Sequence, residues 1–324
     1  MTLKIIDHDT VARLLTYEAA IPLMREAMIA LSTGHTQQTL RQILNIGGGR
    51  MFGVMPGATE STVGAKLISV FPDNFSKGLP SHQGGVLLFD PVTGAPVALL
   101  QAGAVTAIRT AAASAAATDV LAREDASVLA LLGYGEQALT HARAITSIRP
   151  IIKIIVWGRN PDIAASMAVR LESELHIAAT SASNLHDACA GADIICALTA
   201  AAEPILFDAD VPAGAHVNLV GAGTAAQREA DDTLVVRGRL FADHREGVLK
   251  QGGEVLHAIA AGLIGENHVL GEIGEVMAGT LTGRQTAEDV TLYKSLGAIV
   301  QDLAAGWFVY QRALEFGLGV DALF

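Results

Sequence analysis

Hydrophobic residues change their spacing along the chain, from helical to extended and then to an alternation of the two. Residues 9–34 repeat at helical spacing and predict two helices, one capped near Asp9 and one that begins near Thr16. Extended spacing follows in the segments 40–46, 50–56, 63–71 and 82–101, the last with a turn at residues 90–94. This first part of the chain is predicted to form a mostly antiparallel sheet.

An alanine-rich helix, predicted over residues 103–122, leads into the second part of the chain. Short apolar strands then alternate with helices, and the strands are predicted at 128–132, 152–157, 177–180, 194–198, 216–221 and 239–243. Such alternation predicts a parallel, doubly wound sheet. After Gly253 the pattern is helical again, and a long apolar helix from about Ser295 to Glu315 is expected to pack back on the first part. The predicted fold class is α/β, a Rossmann-type parallel sheet domain plus an α+β domain.

A glycine turn joins the first strand of the second part to the helix after it. The segment 127–138 reads SVLALLGYGEQA, in which Gly133 permits a tight turn and Gly135 lets the backbone approach a pyrophosphate. The helix that begins with Glu136 and Gln137 directs free N–H groups towards such phosphates. Glycine turns of purely structural origin are common, but the next apolar strand follows at the spacing of a βαβ unit. We therefore predict that this turn binds a nicotinamide dinucleotide.

The end of the second strand of this unit bears on the choice between NADH and NADPH. An acidic residue there would bind the ribose hydroxyls of NAD, but the sequence is Trp157-Gly158-Arg159-Asn160. Arg159 can pair with a 2′-phosphate, which favours NADPH; the alternative is a solvated arginine beside a helix-capping Asn160. Thr199 follows a later strand, at the sheet edge where such folds bind their ligand.

Cations interrupt the apolar strands of the first part at Arg41, Arg50 and Lys66, and Arg109 lies among small residues of the alanine-rich helix. Lys66 is either an edge residue that reaches solvent or a half-buried ammonium beside a substrate carboxylate. His82 begins the hairpin and is either a strand cap or a proton donor that titrates near neutrality. Together these cations predict a site for a small anion such as an amino or imino acid.

Composition narrows the class of protein. Of the 324 residues, 51% are hydrophobic and only 17% are charged, which predicts a well-buried globular protein. A net charge of −11 argues against nucleic acid or an anionic membrane as a partner, and the acidic cluster at 229–232 is expected to form a solvated helix start. No metal-ligand spacing, signal-peptide pattern or apolar stretch of about 20 residues is present, so we expect a cytoplasmic protein without a metal.

Eight motifs occur in order along the chain: His82-Gln83, DPVTG (90–94), TAIRTAAASA (106–115), GYGEQA (133–138), EPILF (203–207), HVNLVGA (216–222), READD (228–232) and YKSLG (293–297). Together they resemble the ornithine cyclodeaminase and mu-crystallin family over essentially the whole chain, and its ketimine reductase branch in particular. The resemblance implies a substrate-binding and dimerisation domain at 1–118, completed by a helix at 295–324, and a Rossmann domain at 119–294. It also implies a homodimer.

The resemblance further implies roles for single residues. Those that match Arg41, Lys66 and Arg109 hold the substrate carboxylate in this family, and those that match Thr110 and Ser295 contact the cofactor. The chain departs from the cyclodeaminases at Gly223, where they have an aspartate that handles the substrate amine. Loss of this acid argues against cyclodeamination, whereas reduction of a preformed imine requires only a carboxylate site, a proton donor and hydride.

The sequence therefore predicts an NAD(P)H-dependent imino acid reductase. Its substrate is a C=N bond next to a carboxylate, as in Δ1-pyrroline-2-carboxylate, Δ1-piperideine-2-carboxylate or iminosuccinate. Lys66 or His82 would protonate the nitrogen, and a dicarboxylate would need one more cation, Arg50 or His82. Two alternatives remain: an ornithine cyclodeaminase that gives proline and ammonia, and a protein that binds NADPH and a small anion without turnover.

Overall fold

The computed structural model describes residues 2–80 and 82–323, without the side chains of Phe75, Ser76 and His82. Strands in the described part are β1 (Thr2–Ile6), β2 (Gln37–Gln38), β3 (Gln42–Gly47), β4 (Arg50–Ala58), β5 (Val63–Val70), β6 (His82–Phe89), β7 (Pro96–Gln101), β8 (Val128–Leu132), β9 (Lys153–Trp157), β10 (Ala178–Ser181), β11 (Ile194–Ala197), β12 (His216–Leu219), β13 (Arg239–Ala242), β14 (Val269–Glu272), β15 (Thr291–Lys294) and β16 (Val320–Leu323). The α-helices are α1 (His8–Leu14), α2 (Tyr17–Ser32), α3 (Ala102–Leu121), α4 (Glu136–Thr146), α5 (Pro161–Leu175), α6 (Leu185–Cys189), α7 (Asp232–Arg237), α8 (Arg245–Gln251), α9 (Gly253–Ala260), α10 (Ile273–Met277) and α11 (Ile299–Glu315).

The chain divides into two compact units. Unit 1 comprises residues 1–110 and 298–324, and unit 2 comprises residues 111–297. The chain passes from unit 1 to unit 2 inside α3, between Thr110 and Ala111, and returns between Gly297 and Ala298.

Unit 1 contains a sheet of order β16-β1-β7-β6-β5-β4-β2, with β3 paired to β4. All its neighbours are antiparallel except β1 and β7, as the succession of extended segments predicted. Helix α11 packs on β4, β5 and β6 and on α2. Glycines permit this close approach, because a Cβ at Gly57 would lie 2.6 Å from the Ile299 side chain and one at Gly64 would lie 2.8 Å from Leu303.

Unit 2 contains a wholly parallel sheet of order β10-β9-β8-β11-β12-β15-β13-β14. Its central strands β11, β12 and β15 are buried at every position, as expected for parallel strands with helices on both faces. The sheet places the turn after β8 and the loops after β11, β12 and β15 at one edge, because neighbouring strands run in the same direction. The predicted fold class is confirmed.

Several boundaries differ from the sequence-based expectation. Asp7, not Asp9, caps α1, since its carboxylate accepts a hydrogen bond of 2.9 Å from the Thr10 N–H. Strands β1 and β16 were not predicted, and the segment after Gly253, predicted to be helical, contains β14 and β15. The last helix begins at Ile299 rather than near Ser295 because β15 and a loop precede it. None of the described helices combines the length and apolar character needed to cross a bilayer.

Candidate active site

Lys66 is almost completely buried in the middle of β5. It is 3% exposed and lies on the face of the sheet that packs on α11, two residues from Gly64. The Lys66 Nζ donates hydrogen bonds to Thr106 Oγ1, at 2.6 Å, and to Asp302 Oδ1, at 3.1 Å. The Thr106 hydroxyl donates in turn to the Ala102 carbonyl, so its oxygen is the acceptor towards Lys66. An ammonium has three N–H donors, and the third has no partner among the described residues.

Arg109 lies on α3 and reaches the same carboxylate. Its Nε donates to Asp302 Oδ1 at 3.2 Å, and one terminal nitrogen donates to Gln301 Oε1 at 2.6 Å. Because Gln301 and Asp302 are adjacent at the beginning of α11, the two side chains hold the guanidinium from one side. The other terminal nitrogen has no acceptor within the described ranges, which leaves donors for an incoming anion.

Charge in this cluster is unbalanced. Burial lowers the pKa of Lys66 to about 8, because desolvation penalises the ammonium more than the charge of Asp302 stabilises it, and Arg109 and Arg41 lower it further. Burial alone would raise the pKa of Asp302, but the positive charges of Arg109 and Lys66 outweigh it and hold that pKa below its usual value. We call Lys66, Arg109, Arg41 and Asp302 the Lys66 cluster. It holds three cations and one carboxylate, an excess of positive charge that suits an anion.

The predicted cations do not all join the cluster. Arg41 immediately precedes β3 rather than lying on a strand, and its charge acts on Lys66. Arg50 lies in the β3–β4 hairpin, where its Nε donates to the Gly47 carbonyl at 3.1 Å and its guanidinium stacks over Phe71. Met55 of β4 pairs with Lys66. Arg50 lies five residues before Met55 on the same strand, so its Cα is about 17 Å from the Cα of Met55. Arg50 is therefore not part of the Lys66 cluster, and its assignment to the substrate site stays a prediction. The predicted role of His82 falls on a side chain outside the described residues.

In unit 2 the glycine turn has the conformation that its sequence predicts. Gly133 has a φ of 124°, which favours glycine, and a Cβ there would lie 2.9 Å from the Leu198 carbonyl oxygen. Gly135 caps α4 with a φ of −77°, which any residue can adopt, and a Cβ there would meet no atom within 4 Å. Packing within the described chain therefore leaves the backbone at position 135 open to a ligand. Glu136 and Gln137 form the first turn of α4, whose N–H groups suit a phosphate.

Arg159 is exposed just after β9 and forms no hydrogen bond or ion pair with another described residue. Asn160 caps α5, accepting hydrogen bonds from the Asp162 and Ile163 N–H groups at 3.0 and 3.2 Å. This cap belongs to the alternative given above for the segment, a solvated Arg159 beside a helix-capping Asn160. Gly158 allows the ring of Tyr134 to lie against the end of β9, since a Cβ there would be 2.2 Å from that ring.

A buried carboxylate organises the loops after β11 and β12. Glu229 was expected to lie on a solvated helix start, but it is 0% exposed. Its Oε1 accepts from the Thr199 N–H and hydroxyl at 2.6 and 2.7 Å, and its Oε2 accepts from the Gly221 and Ala222 N–H groups at 2.7 and 3.1 Å. Burial raises the pKa of Glu229, although the charge of Lys294 opposes this. The Thr199 hydroxyl therefore serves to fix the loops.

Two further cofactor candidates are buried. Ser295 directly follows β15, and its Oγ has no hydrogen-bond partner in the described part of the chain. The next two N–H groups, of Leu296 and Gly297, both donate to Asp243 Oδ2, at 2.7 and 2.5 Å. Thr110, next to Arg109 on α3, is 8% exposed. An open backbone at Gly135 and an unpaired hydroxyl at Ser295 are consistent with a site for a dinucleotide.

Sequence reasoning missed Asp302 and Glu229. Both are charged residues beside an apolar pattern. The partners of Asp302 are distant in sequence, and those of Glu229 lie 7 to 30 residues away, so hydrophobic spacing does not reveal the burial of either. For Asp302 a signal was present: Gln301 and Asp302 interrupt the otherwise apolar stretch IVQDLAAGWFV of a helix that was itself expected to be buried.

The family model described as the ornithine cyclodeaminase/mu-crystallin family matches residues 4–317. The chain belongs to this family. Among its relatives, the mouse ketimine reductase mu-crystallin is 36% identical over 296 residues, which cover 90% of each chain.

Solved structures of the family superimpose over nearly the whole chain. The Δ1-pyrroline-2-carboxylate reductase of Thermococcus litoralis, in complex with NADH and L-proline, has a TM-score of 0.96 at 32% identity and covers 99% of this chain and 100% of that one. The iminosuccinate reductase of Paracoccus denitrificans, in complex with NAD+, has a TM-score of 0.93 at 31% identity, and both chains are covered completely (100%). An archaeal alanine dehydrogenase dimer with bound NAD has a TM-score of 0.95 at 27% identity, with the same complete coverage (100%).

Proposed function

We propose that this protein is an NAD(P)H-dependent imino acid reductase that reduces a C=N bond next to a carboxylate. The observation that carries the proposal is the Lys66 cluster, which combines two arginines for a carboxylate with a buried ammonium whose third N–H is free of described partners. Named relatives and solved neighbours reduce ketimines or bind the matching amino acid and NAD(H), which supports the same reaction.

Unit 1 is the substrate-binding unit in this proposal. Arg109 and Arg41 bind the substrate carboxylate, Arg109 with the nitrogen that Gln301 and Asp302 leave unpaired. The Lys66 ammonium donates a proton to the imine nitrogen as the C=N bond is reduced. Burial lowers its pKa to about 8, and a general acid is most effective when its pKa is close to the pH at which the enzyme works. Loss of that proton leaves a neutral amine, which solvent protonates before the next turnover.

Unit 2 is the dinucleotide-binding unit, and the cofactor supplies the hydride. Its candidate residues lie at strand ends or helix starts, which such ligands contact: Gly133, Gly135, Glu136, Gln137, Arg159, Asn160, Thr199 and Ser295. Thr110, the last residue of unit 1 before the chain enters unit 2, is a further candidate. The solved neighbours contain NADH or NAD+. For this chain we propose a preference for NADPH, because Arg159 is exposed and without a described partner where an acid would select NADH.

We propose a monocarboxylate ketimine, such as Δ1-pyrroline-2-carboxylate or Δ1-piperideine-2-carboxylate, as the substrate. A dicarboxylate such as iminosuccinate needs one more cation. Of the two candidates, Arg50 is bonded in the distant β3–β4 hairpin, and the side chain of His82 lies outside the described residues. Gly223, in the place of an amine-handling aspartate, argues against full cyclodeamination of ornithine.

We also propose that two copies of the chain form a homodimer through unit 1. Leu44, Phe52, Val63 and Leu67 lie on one face of β3, β4 and β5, opposite to Lys66, and all are exposed. Such a contiguous apolar face is typical of a protein–protein interface. The archaeal alanine dehydrogenase is a dimer.

The proposal is tested by following the oxidation of NADPH and of NADH separately with Δ1-pyrroline-2-carboxylate, Δ1-piperideine-2-carboxylate and iminosuccinate, with ornithine plus NAD+ as a control. We expect oxidation with the two cyclic imines, no proline from ornithine, and a preference for NADPH that Arg159→Ala abolishes. Proline and ammonia from ornithine would identify a cyclodeaminase. Cofactor binding without oxidation of any substrate would identify a binding protein.

A further inference from the structure

Asp302 occupies an unusual position for a carboxylate. It is 0% exposed in α11, and its Oδ1 accepts hydrogen bonds from both Lys66 Nζ and Arg109 Nε. Its Oδ2 is buried and has no hydrogen-bond partner in the described chain. A buried carboxylate oxygen without a donor costs free energy, which the ion pairs of Oδ1 with Lys66 and Arg109 oppose.

We propose that Asp302 is a positioning residue which, through one carboxylate oxygen, fixes the Lys66 ammonium and the Arg109 guanidinium relative to each other so that each keeps an unpaired donor for the substrate. This inference rests on the proposed imine reduction and assigns Asp302 no direct contact with the substrate. Asp302 lies outside the eight sequence motifs and is not among the site residues expected from the sequence.

The number of donors at each cation supports this role. Thr106 and Asp302 take two of the three N–H groups of Lys66, and the tetrahedral nitrogen then fixes the direction of the third. Gln301 and Asp302 likewise take two edges of the Arg109 fork. Because one oxygen of Asp302 is common to both cations, it sets the separation between the proton donor and the carboxylate-binding group. That separation must match the distance between the imine nitrogen and the carboxylate of the substrate.

Charge provides a second, separate consequence. The charged groups that act on Lys66 among the described residues are Asp302 on α11, Arg109 on α3 and Arg41 before β3. Asp302 is the one negative charge among these groups. Without it, a desolvated ammonium would face two guanidinium groups, and it would lose its proton at a lower pH. Asp302 therefore keeps Lys66 charged while burial brings its pKa down to about 8.

The test compares the pH dependence of kcat/KM for the best imine substrate in the wild type and in Asp302→Asn. We expect the alkaline limb of the wild-type profile near pH 8, the value at which Lys66 titrates. In Asp302→Asn we expect this limb to move to lower pH by about one unit or more, with a lower kcat. Ionisation of the substrate itself is the same for both enzymes, so a difference between the profiles belongs to the protein.

Two further variants make the result decisive. Glu315→Gln removes a carboxylate of the same helix that pairs with Arg312 on the surface, and we expect it to leave the profile unchanged. Asp302→Glu keeps the charge but lengthens the side chain, so we expect an unshifted limb with a kcat reduced about 10-fold through lost orientation. NADPH binding, measured by fluorescence, reports on the fold of each variant.

An active Asp302→Asn variant with the wild-type alkaline limb would overturn the proposal. If Asp302→Asn does not fold, Asp302→Glu decides, because a wild-type kcat in that variant would show that the position of the carboxylate is unimportant. A wild-type enzyme that reduces no imine would instead refute the proposed function, and it is recognised before any variant is measured.

Discussion

At the residue scale, two buried cations share one carboxylate oxygen, because Asp302 Oδ1 accepts from Lys66 Nζ at 3.1 Å and from Arg109 Nε at 3.2 Å. Lys66 and Arg109 are site candidates from the sequence alone, since both are long cations among small and apolar residues. Asp302 is 236 residues from Lys66, so no local pattern connects the two. Its significance depends on how α11 packs on β5, which only the three-dimensional structure shows. The roles of these residues in catalysis stay predictions.

Gly135 provides a test of the dinucleotide site at the same scale. In Gly135→Ala the new methyl group meets no protein atom within 4 Å, so we expect the free energy of unfolding to change by less than about 1 kcal/mol. We expect the Kd for NADPH, measured by fluorescence titration, to rise about 10-fold or more, because the methyl group occupies the space of a phosphate. Gly191→Ala is the matched control, since a Cβ at Gly191 would likewise meet no atom within 4 Å. Equal NADPH affinity in Gly135→Ala and the wild type would place the phosphates elsewhere.

At the scale of elements, strands bounded by clear turn signals were predicted and the others were not. Strands β3 to β13 were located to within a few residues, including the four-residue strands β10 to β13, because apolar runs and glycine or proline breaks mark most of them. Strands β1, β2, β14, β15 and β16 were not predicted, and β14 and β15 lie in a segment that also contains helices α9 and α10. Glu229 was misassigned because most of its sequence neighbours are polar, whereas its burial depends on N–H groups of its own loop, at Gly221 and Ala222, and of the loop after β11, at Thr199.

The strands β3, β4 and β5 use their two faces differently, which gives a prediction about assembly. One face carries Lys66 and packs on α11, and the other exposes Leu44, Phe52, Val63 and Leu67. We expect a molar mass in solution of twice 33.6 kDa for the wild type and a single chain for Leu44→Glu. Leu44 is 65% exposed in the single chain, so the charge disfavours association without disturbing the core.

Val92→Glu is the control for this measurement, since Val92 is 90% exposed in the turn between β6 and β7 and lies outside strands β3, β4 and β5. We expect Val92→Glu to retain the wild-type mass. A wild-type protein that is monomeric, or a Leu44→Glu variant with the wild-type mass, would rule out this face as the interface.

At the scale of the whole molecule, the change from extended to alternating periods predicted the fold class. A parallel sheet requires helical crossovers and an antiparallel sheet does not, so the two architectures leave different patterns in the sequence. The order of eight strands in unit 2 and the insertion of that unit between α3 and α11 are not local properties, and periodicity alone does not give them. Family membership, over residues 4–317, accounts for both.

The most direct test of the whole account is the kcat of Lys66→Met with the imine that the wild type reduces fastest. Methionine fills the buried space of the lysine without a proton to donate, so we expect kcat to fall by about 100-fold or more while NADPH affinity is unchanged. Lys77→Met, which replaces an exposed lysine of the same unit, is expected to retain wild-type turnover. Wild-type turnover in Lys66→Met would contradict the assignment of Lys66 as the proton donor and, with it, the proposed mechanism.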